Sequence, residues 1–214
     1  MNNILPIFVS CEKYKDRVQR IHEMCSVIGI KDYIIFKGGS YFRKIDSHLV
    51  QLDCGDNYED LPEKMFKIYK YLISFNYYNK YKFFWKIDDD VDISNFTEED
   101  FEILNKKIRG DNYCGFKVCE KGKRGWHMEK CSEHSDWNKK RYEGEYLPWA
   151  EGGSTYILSS ETLLLFNDFY DFTELSNTEI FEDLAVAKFL NEKRVYPTLI
   201  PPWRKKLIET NIYK

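Results

Sequence analysis

Short apolar runs alternate along this chain with segments of helical period, and that alternation restricts the folds open to it more than any other feature. Residues 4–9, ILPIFV, form the continuous apolar run that a strand buried on both faces requires. Val18, Ile21, Cys25 and Ile28 then recur at helical spacing, and Gly29 supplies a stop. DYIIFK reads as a strand, Gly38-Gly39 as a turn, and HLVQLD at 48–53 as a third strand. Leu61, Met65, Ile68, Leu72 and Ile73 mark a long amphipathic helix, with Pro62 near its start where a missing N–H is harmless. YKFFWKI follows as a strand. Thr97 caps a helix over 97–108 with acid in its first turn. Strands are expected at 112–118 and 154–159, helices at 160–169 and 182–193, and VYPTLI closes the core. Strand–helix alternation of this kind implies an α/β fold, with a mostly parallel central sheet flanked by helices.

The chain has 214 residues, enough for one substantial domain with a single core. Its net charge of −3 sets up no field that draws nucleic acid or an anionic membrane. No stretch reaches the roughly 18 to 20 apolar residues that span a bilayer. The start, MNNILPIFVSC, is apolar for too few residues and lacks a basic segment, so a soluble cytoplasmic protein without signal peptide is expected. Six cysteines without a CxxC pair suggest buried thiols in a reducing compartment. From Glu120 to Glu145 the sequence turns polar and Trp-dotted without a usable period, the mark of a functional excursion.

The chemistry concentrates in FFWKIDDDVDI, residues 83–93, where an apolar strand runs into three consecutive aspartates. Open α/β sheets bind ligands at the carboxyl ends of their strands, which is where Asp88, Asp89 and Asp90 fall. Mg²⁺ and Mn²⁺ take carboxylate oxygens and leave positions for phosphate oxygens, so an Asp-x-Asp pair there suits a metal–diphosphate site. A solvated turn explains the same three residues without function. Asp90-Val91-Asp92-Ile93-Ser94 also has the DxDx[TS] form of a haloacid-dehalogenase phosphatase nucleophile, although that motif usually ends the first strand. GxGxxG, the phosphate-binding GxxxxGK[ST] and GxSxG are all missing. Cys119, His127, Cys131 and His134 have zinc-ligand chemistry, but their spacing is irregular.

Four stretches together resemble the β-1,3-galactosyltransferase/Fringe-type glycosyltransferases, which have the GT-A fold. DNYEDLPEKMFKIYKYLISFNYYNKYKFFWKIDDDVDI, 56–93, is similar to that family's D-x-Y-x-N-L-x-x-K segment, long helix and K-x-D-D-D-V strand end. YEGEYLPWAEGGSTYILSSE, 142–161, is similar to its Y-P-x-Y-x-x-G-x-G-Y-V-L-S block, and EIFEDLAVAKFL, 179–190, to its E-D-V-x-x-G helix start. IFVSCEKYKDRVQRI resembles the first strand and the arginine-bearing helix after it. Departures are Asp60 for asparagine, Trp149 for the usual aromatic, Leu184 for valine and Ala187 for glycine. A histidine near the C-terminus often completes the family's metal site. This chain has none after His134, which leaves water, a phosphate oxygen or Glu209 for that place.

The resemblance implies a single GT-A domain over 1–214, with nucleotide-sugar binding mainly in 1–118 and acceptor binding mainly in 119–214. It implies an inverting transfer from a UDP-sugar, with Mn²⁺ or Mg²⁺, onto a glycan or glycoprotein. Without a signal anchor, the chain fits a bacterial or viral cytosolic member. Asp88 and Asp90 would hold the metal, with Asp88 and Asp89 also near ribose or donor sugar. Arg17 and Lys64 would reach the nucleotide phosphates or ribose, unless they are ordinary surface residues. Gly152 and Gly153 would let backbone approach the sugar, and Trp149 would stack on the acceptor or sit in the core. Asp183, with Glu182 as substitute, would be the general base at a helix N-terminus, a place that acids also occupy for no catalytic reason. Asp92 is expected to be structural. The competing readings are the phosphatase with Asp90 as nucleophile and a non-catalytic sugar- or nucleotide-binding relative.

Overall fold

A computed structural model describes residues 3–200. Among the described residues ten strands form, here β1 (Ile4–Val9), β2 (Ile34–Gly39), β3 (Arg43–Lys44), β4 (Leu49–Asp53), β5 (Phe83–Asp88), β6 (Tyr113–Gly115), β7 (Val118–Cys119), β8 (Trp149–Ala150), β9 (Tyr156–Ser159) and β10 (Thr198–Leu199). The α-helices are α1 (Lys15–Val27), α2 (Leu61–Ser74), α3 (Glu98–Lys107), α4 (Ser160–Leu164), α5 (Phe172–Thr178) and α6 (Glu182–Glu192). Eight strands make one sheet in the order β10-β6-β9-β5-β1-β2-β4-β3, while β7 and β8 pair in a separate ribbon. The run β4-β2-β1-β5 is parallel throughout, and β9 is antiparallel to both its neighbours.

Strand side chains divide between two buried clusters, one on each face of the sheet. Leu5, Ile7 and Val9 pack on the face covered by α2 and α6, whereas Ile4 and Phe8 pack on the face with α1 and α3. This two-sided burial is why β1 reads as an uninterrupted apolar run rather than an alternating one. Thr97 caps α3 through a reciprocal pair with Asp100, satisfying two N–H groups that the first turn leaves open. Because β1 lies between β2 and β5, the chain turns to opposite sides of it after α1 and after α2. The carboxyl ends of β1 and β5 therefore border a topological switch point, the crevice where open α/β sheets take ligands.

Four expectations change. Gly38-Gly39 is not a turn but the end of β2, paired in register with Leu52 and Asp53. A Cβ on Gly38 would lie 2.3 Å from the Gly55 carbonyl oxygen, so glycine there serves close strand packing. The strand expected at 112–118 breaks after Gly115, because Val118 and Cys119 leave the sheet to pair with Ala150 and Trp149. The helix expected over 160–169 is α4 followed by a 3₁₀ turn at Leu165–Asp168. VYPTLI contributes only an exposed two-residue edge strand and the buried Ile200. The excursion carries no α-helix, only a 3₁₀ turn at Asp136–Lys139. Among the described residues no helix is long and apolar enough to cross a membrane. The Arg204–Lys206 basic run and Glu209 lie outside the described residues.

Candidate active site

At the carboxyl end of β5 a cavity of about 570 Å³ opens. Asp88, Asp90, Trp149, Gly153, Glu182 and Asp183 all line it, although they come from three separate parts of the sequence. Strand β5 delivers Asp88 at its last residue, β8 delivers Trp149, and the first turn of α6 delivers both Glu182 and Asp183.

Beneath the cavity floor lies a buried cation. The ammonium of Lys86 is 2.7 Å from Asp88 Oδ1 and 2.7 Å from Glu182 Oε1, and the side chain is 2% exposed. Burial works to lower this lysine, but the two carboxylates outweigh it and push it up. Glu182 moves up as well, because burial and the neighbouring Asp183 and Asp88 outweigh Lys86. Tyr156 OH donates to its other oxygen at 3.3 Å. Gly152 packs over this pair so closely that a Cβ would fall 2.2 Å from Glu182 Oε1 and 3.0 Å from Lys86 Nζ. Beside it the buried Thr155 has φ of +64°, a conformation that costs a β-branched residue energy. Its Oγ1 accepts from Trp85 Nε1 at 2.9 Å.

Three N–H donors hold Asp183. Gly152 N and Trp149 Nε1 donate to Oδ2 at 2.8 and 3.2 Å, and Leu184 N donates to Oδ1 at 2.8 Å. A carboxylate offers about four acceptor positions, so these three donors leave room for one more. Burial raises the group above the ordinary aspartate range, opposed by the Gly152 N–H and Lys86. Tyr146 stacks on Trp149 at 5.5 Å between centroids, extending an aromatic face next to the carboxylate.

The three aspartates separate. Asp90 faces the cavity, and burial and then Asp88 push it up. Asp89 points to α1, accepting from Ser10 Oγ at 2.8 Å and Arg17 Nη1 at 2.6 Å, away from the cavity lining. Arg17 also lies 3.8 Å from the Tyr14 ring centroid. Asp92 bonds Arg20 at 3.1 Å and the Ser94 N–H at 2.8 Å. Lys64 is buried, bound to Asp56 at 2.5 Å and the Ser10 carbonyl at 3.2 Å. Arg17 and Lys64 thus spend charge on the protein itself, and neither lines the cavity. His127 is buried with Nε2 donating to the Trp137 and Lys140 carbonyls, each at 3.0 Å. Among the described residues no three His, Cys, Asp or Glu side chains converge as a metal cluster, the Cys119–His134 set included.

The family model of Galactosyltransferase matches residues 43–199, a span holding both acid clusters and the excursion. The chain belongs to the galactosyltransferase family. It is a glycosyltransferase, acting between a sugar donor and an acceptor. The phosphatase reading of Asp90 loses its ground, since the motif falls inside the matched span and Asp92 is tied to Arg20. No curated protein sequence matches this glycosyltransferase. Among solved structures it is similar to a glycosyltransferase involved in the glycosylation of the major capsid of PBCV-1, with 12% identity and a TM-score of 0.49 over 92% of this chain and 80% of that one. A protein designated a glucose-1-phosphate thymidylyltransferase from Bacillus anthracis is also similar, at 9% identity and TM-score 0.45 over 97% and 89%.

The excursion gives this cavity a wall that sequence reasoning missed. Lys121, Lys123, Trp126 and Lys130 of the excursion line it, joined by Lys117, Tyr58 and Tyr146. Basic residues in a polar loop look like solvated surface, so only the loop's length and its tryptophans pointed here.

Proposed function

We propose that this glycosyltransferase moves a sugar from a UDP-sugar to a hydroxyl of a glycan or glycoprotein, with inversion and with Mn²⁺ or Mg²⁺ at Asp88 and Asp90. The observation that supports it is the meeting of Asp88, Asp90, Trp149 and Asp183 on one cavity at the carboxyl end of β5. Two carboxylates suffice as protein ligands, since such cations in nucleotide sites take their remaining ligands from phosphates and water. Asp90 has the chemistry for this: a cavity-lining carboxylate raised by burial and by its neighbour is relieved by a cation. When bound, the metal supplies charge neutralisation for the departing diphosphate.

The chain's own groups do the rest. Lys86 fixes Asp88 at the donor side and Glu182 at the acceptor side through one buried charge. Glu182 is thereby engaged, which leaves Asp183 as the base. Its open lone pair takes the proton of the acceptor hydroxyl as that oxygen attacks the anomeric carbon. The N-terminus of α6 favours the ionised form against the burial that opposes it. Trp149 is buried, with its N–H on Asp183, so the half-buried Tyr146 stacked on it is the ring left to meet an acceptor sugar.

Thermal unfolding with UDP, UMP and GDP, each with and without Mn²⁺, tests the donor and metal together. Stabilisation by UDP that needs Mn²⁺ and vanishes in Asp90→Ala is expected, since a ligand of the native state raises its apparent stability. Equal stabilisation by all three nucleotides without metal would overturn the reading.

A further inference from the structure

The donor reading leaves a charge problem. Asp88, Asp90, Glu182 and Asp183 face or border one cavity, and together with a diphosphate they carry more negative charge than Lys86 and one divalent cation remove. The basic residues expected for the phosphates, Arg17 and Lys64, are bound to Asp89 and Asp56 outside the cavity. The excursion supplies another cation.

Lys130 lies with its ammonium 3.8 Å from the Trp126 ring centroid and 5.5 Å from that of Tyr58. No carboxylate among the described residues comes within ion-pair distance of it. Partial burial of its stem lowers this otherwise exposed lysine, and the acid that pulls it back up is Asp90, which lines the same cavity. Its neighbour Lys117, by contrast, is neutralised by Glu151 at 2.6 Å.

The backbone around Lys130 is fixed. Its N–H donates to the His127 carbonyl at 3.0 Å, and His127 is buried with its ring tied to two carbonyls. On the other side Ser132 N donates to Glu59 at 3.1 Å, joining the excursion to the turn that carries Tyr58. Glu129, immediately before Lys130, has φ of +70°, a strained conformation that these anchors hold in place. A surface lysine needs none of this.

From this geometry we propose that Lys130, held on the Trp126 and Tyr58 rings, is the binding post for the diphosphate of the donor. The proposal rests on the donor reading but names a residue that reading did not require. A ring pair directs the ammonium without neutralising it, because cation–π attraction leaves the full charge available to an anion. The excursion thereby becomes part of the donor site, and its lysine offsets the negative charge that the diphosphate brings beside the acids of the same cavity.

Calorimetric titration of the full chain with UDP, inorganic pyrophosphate and uridine, all with Mn²⁺, tests it in wild type, Lys130→Gln and Lys130→Arg. Lys130→Gln should weaken UDP and pyrophosphate about tenfold, as expected for one charge-assisted contact. Uridine should bind equally to all three proteins, and Lys130→Arg should retain most of the affinity. Because Lys130 is exposed, unfolding temperatures should agree and exclude misfolding as the cause. Equal pyrophosphate affinity in wild type and Lys130→Gln would overturn the proposal. Wild type that ignores UDP but holds pyrophosphate through Lys130 would sink the UDP reading and leave the post standing. Wild type that binds neither would sink both.

Discussion

The cavity has two walls of opposite construction. The acid floor stands on regular structure: Asp88 ends a central strand, and Glu182 and Asp183 open a helix. The basic wall stands on an excursion with no α-helix, pinned by a buried histidine, a serine–glutamate tie and a strained Glu129. On the floor Lys86 and Glu182 are buried and tied to the half-buried Asp88, so the loss of one propagates. Groups on the wall are exposed, and each acts nearly alone. Rigid elements suit the bond-making groups, which need fixed geometry, while a loop suits selection among ligands.

The strongest way to break this division is Asp183→Asn. If the floor performs the chemistry, the substitution should lower kcat by about 10² to 10⁴-fold while donor affinity stays near wild type. Steady-state kinetics with calorimetric donor binding would check both. Asp183 must be ionised to take a proton, and its pKa is raised by burial. The wild-type rate should therefore fall on the acid side at a pH above the ordinary aspartate range. Trp149→Phe removes one donor to the ionised form and should move that limb further up. Unchanged turnover in Asp183→Asn would make this cavity a binding site without catalysis.

Interdependence on the floor predicts a second, smaller loss. Lys86→Met strands two carboxylates around a buried position and should destabilise the protein by about 3–5 kcal/mol, read from denaturant unfolding. Adding Glu182→Gln should recover part of it, since one of the stranded charges disappears. Additive losses would show that the two groups do not share a charge network.

The two walls also differ in how far sequence foretold them. β1, β5 and the start of α6 were legible because hydrophobic period and strand-end acids are local signals, and their alternation pointed to a mostly parallel sheet but not to its strand order. The separate fates of Asp88, Asp89 and Asp90 were not legible. Which acid meets Arg17 depends on how α1 lies against the end of β5, a tertiary fact that no spacing encodes. The burial of Lys64 was hidden for the same reason, since its partner Asp56 sits on a loop eight residues away. The break after Gly115 escaped because β7 takes its partner from Trp149 and Ala150, far along the chain. For the basic wall only its location was foretold, because a lysine held on an indole and a lysine in water look alike in one dimension.

The smallest expected effect sharpens the comparison from the wall side. Lys117 and Glu151 form an ion pair at 2.6 Å, with side chains 56% and 31% exposed. Water screens such a pair, so Glu151→Gln should change stability by no more than about 1 kcal/mol. The substitution nonetheless releases a lysine that lines the same cavity as the acids. Its expected signature is therefore not in unfolding but in affinity for anions, where pyrophosphate should bind up to a few-fold tighter as one more uncompensated cation faces it. That gain should shrink as salt is raised, because an exposed charge loses its reach beyond a Debye length. A large loss of stability in Glu151→Gln would instead mean that the wall is as interlocked as the floor, and the division between them would fail.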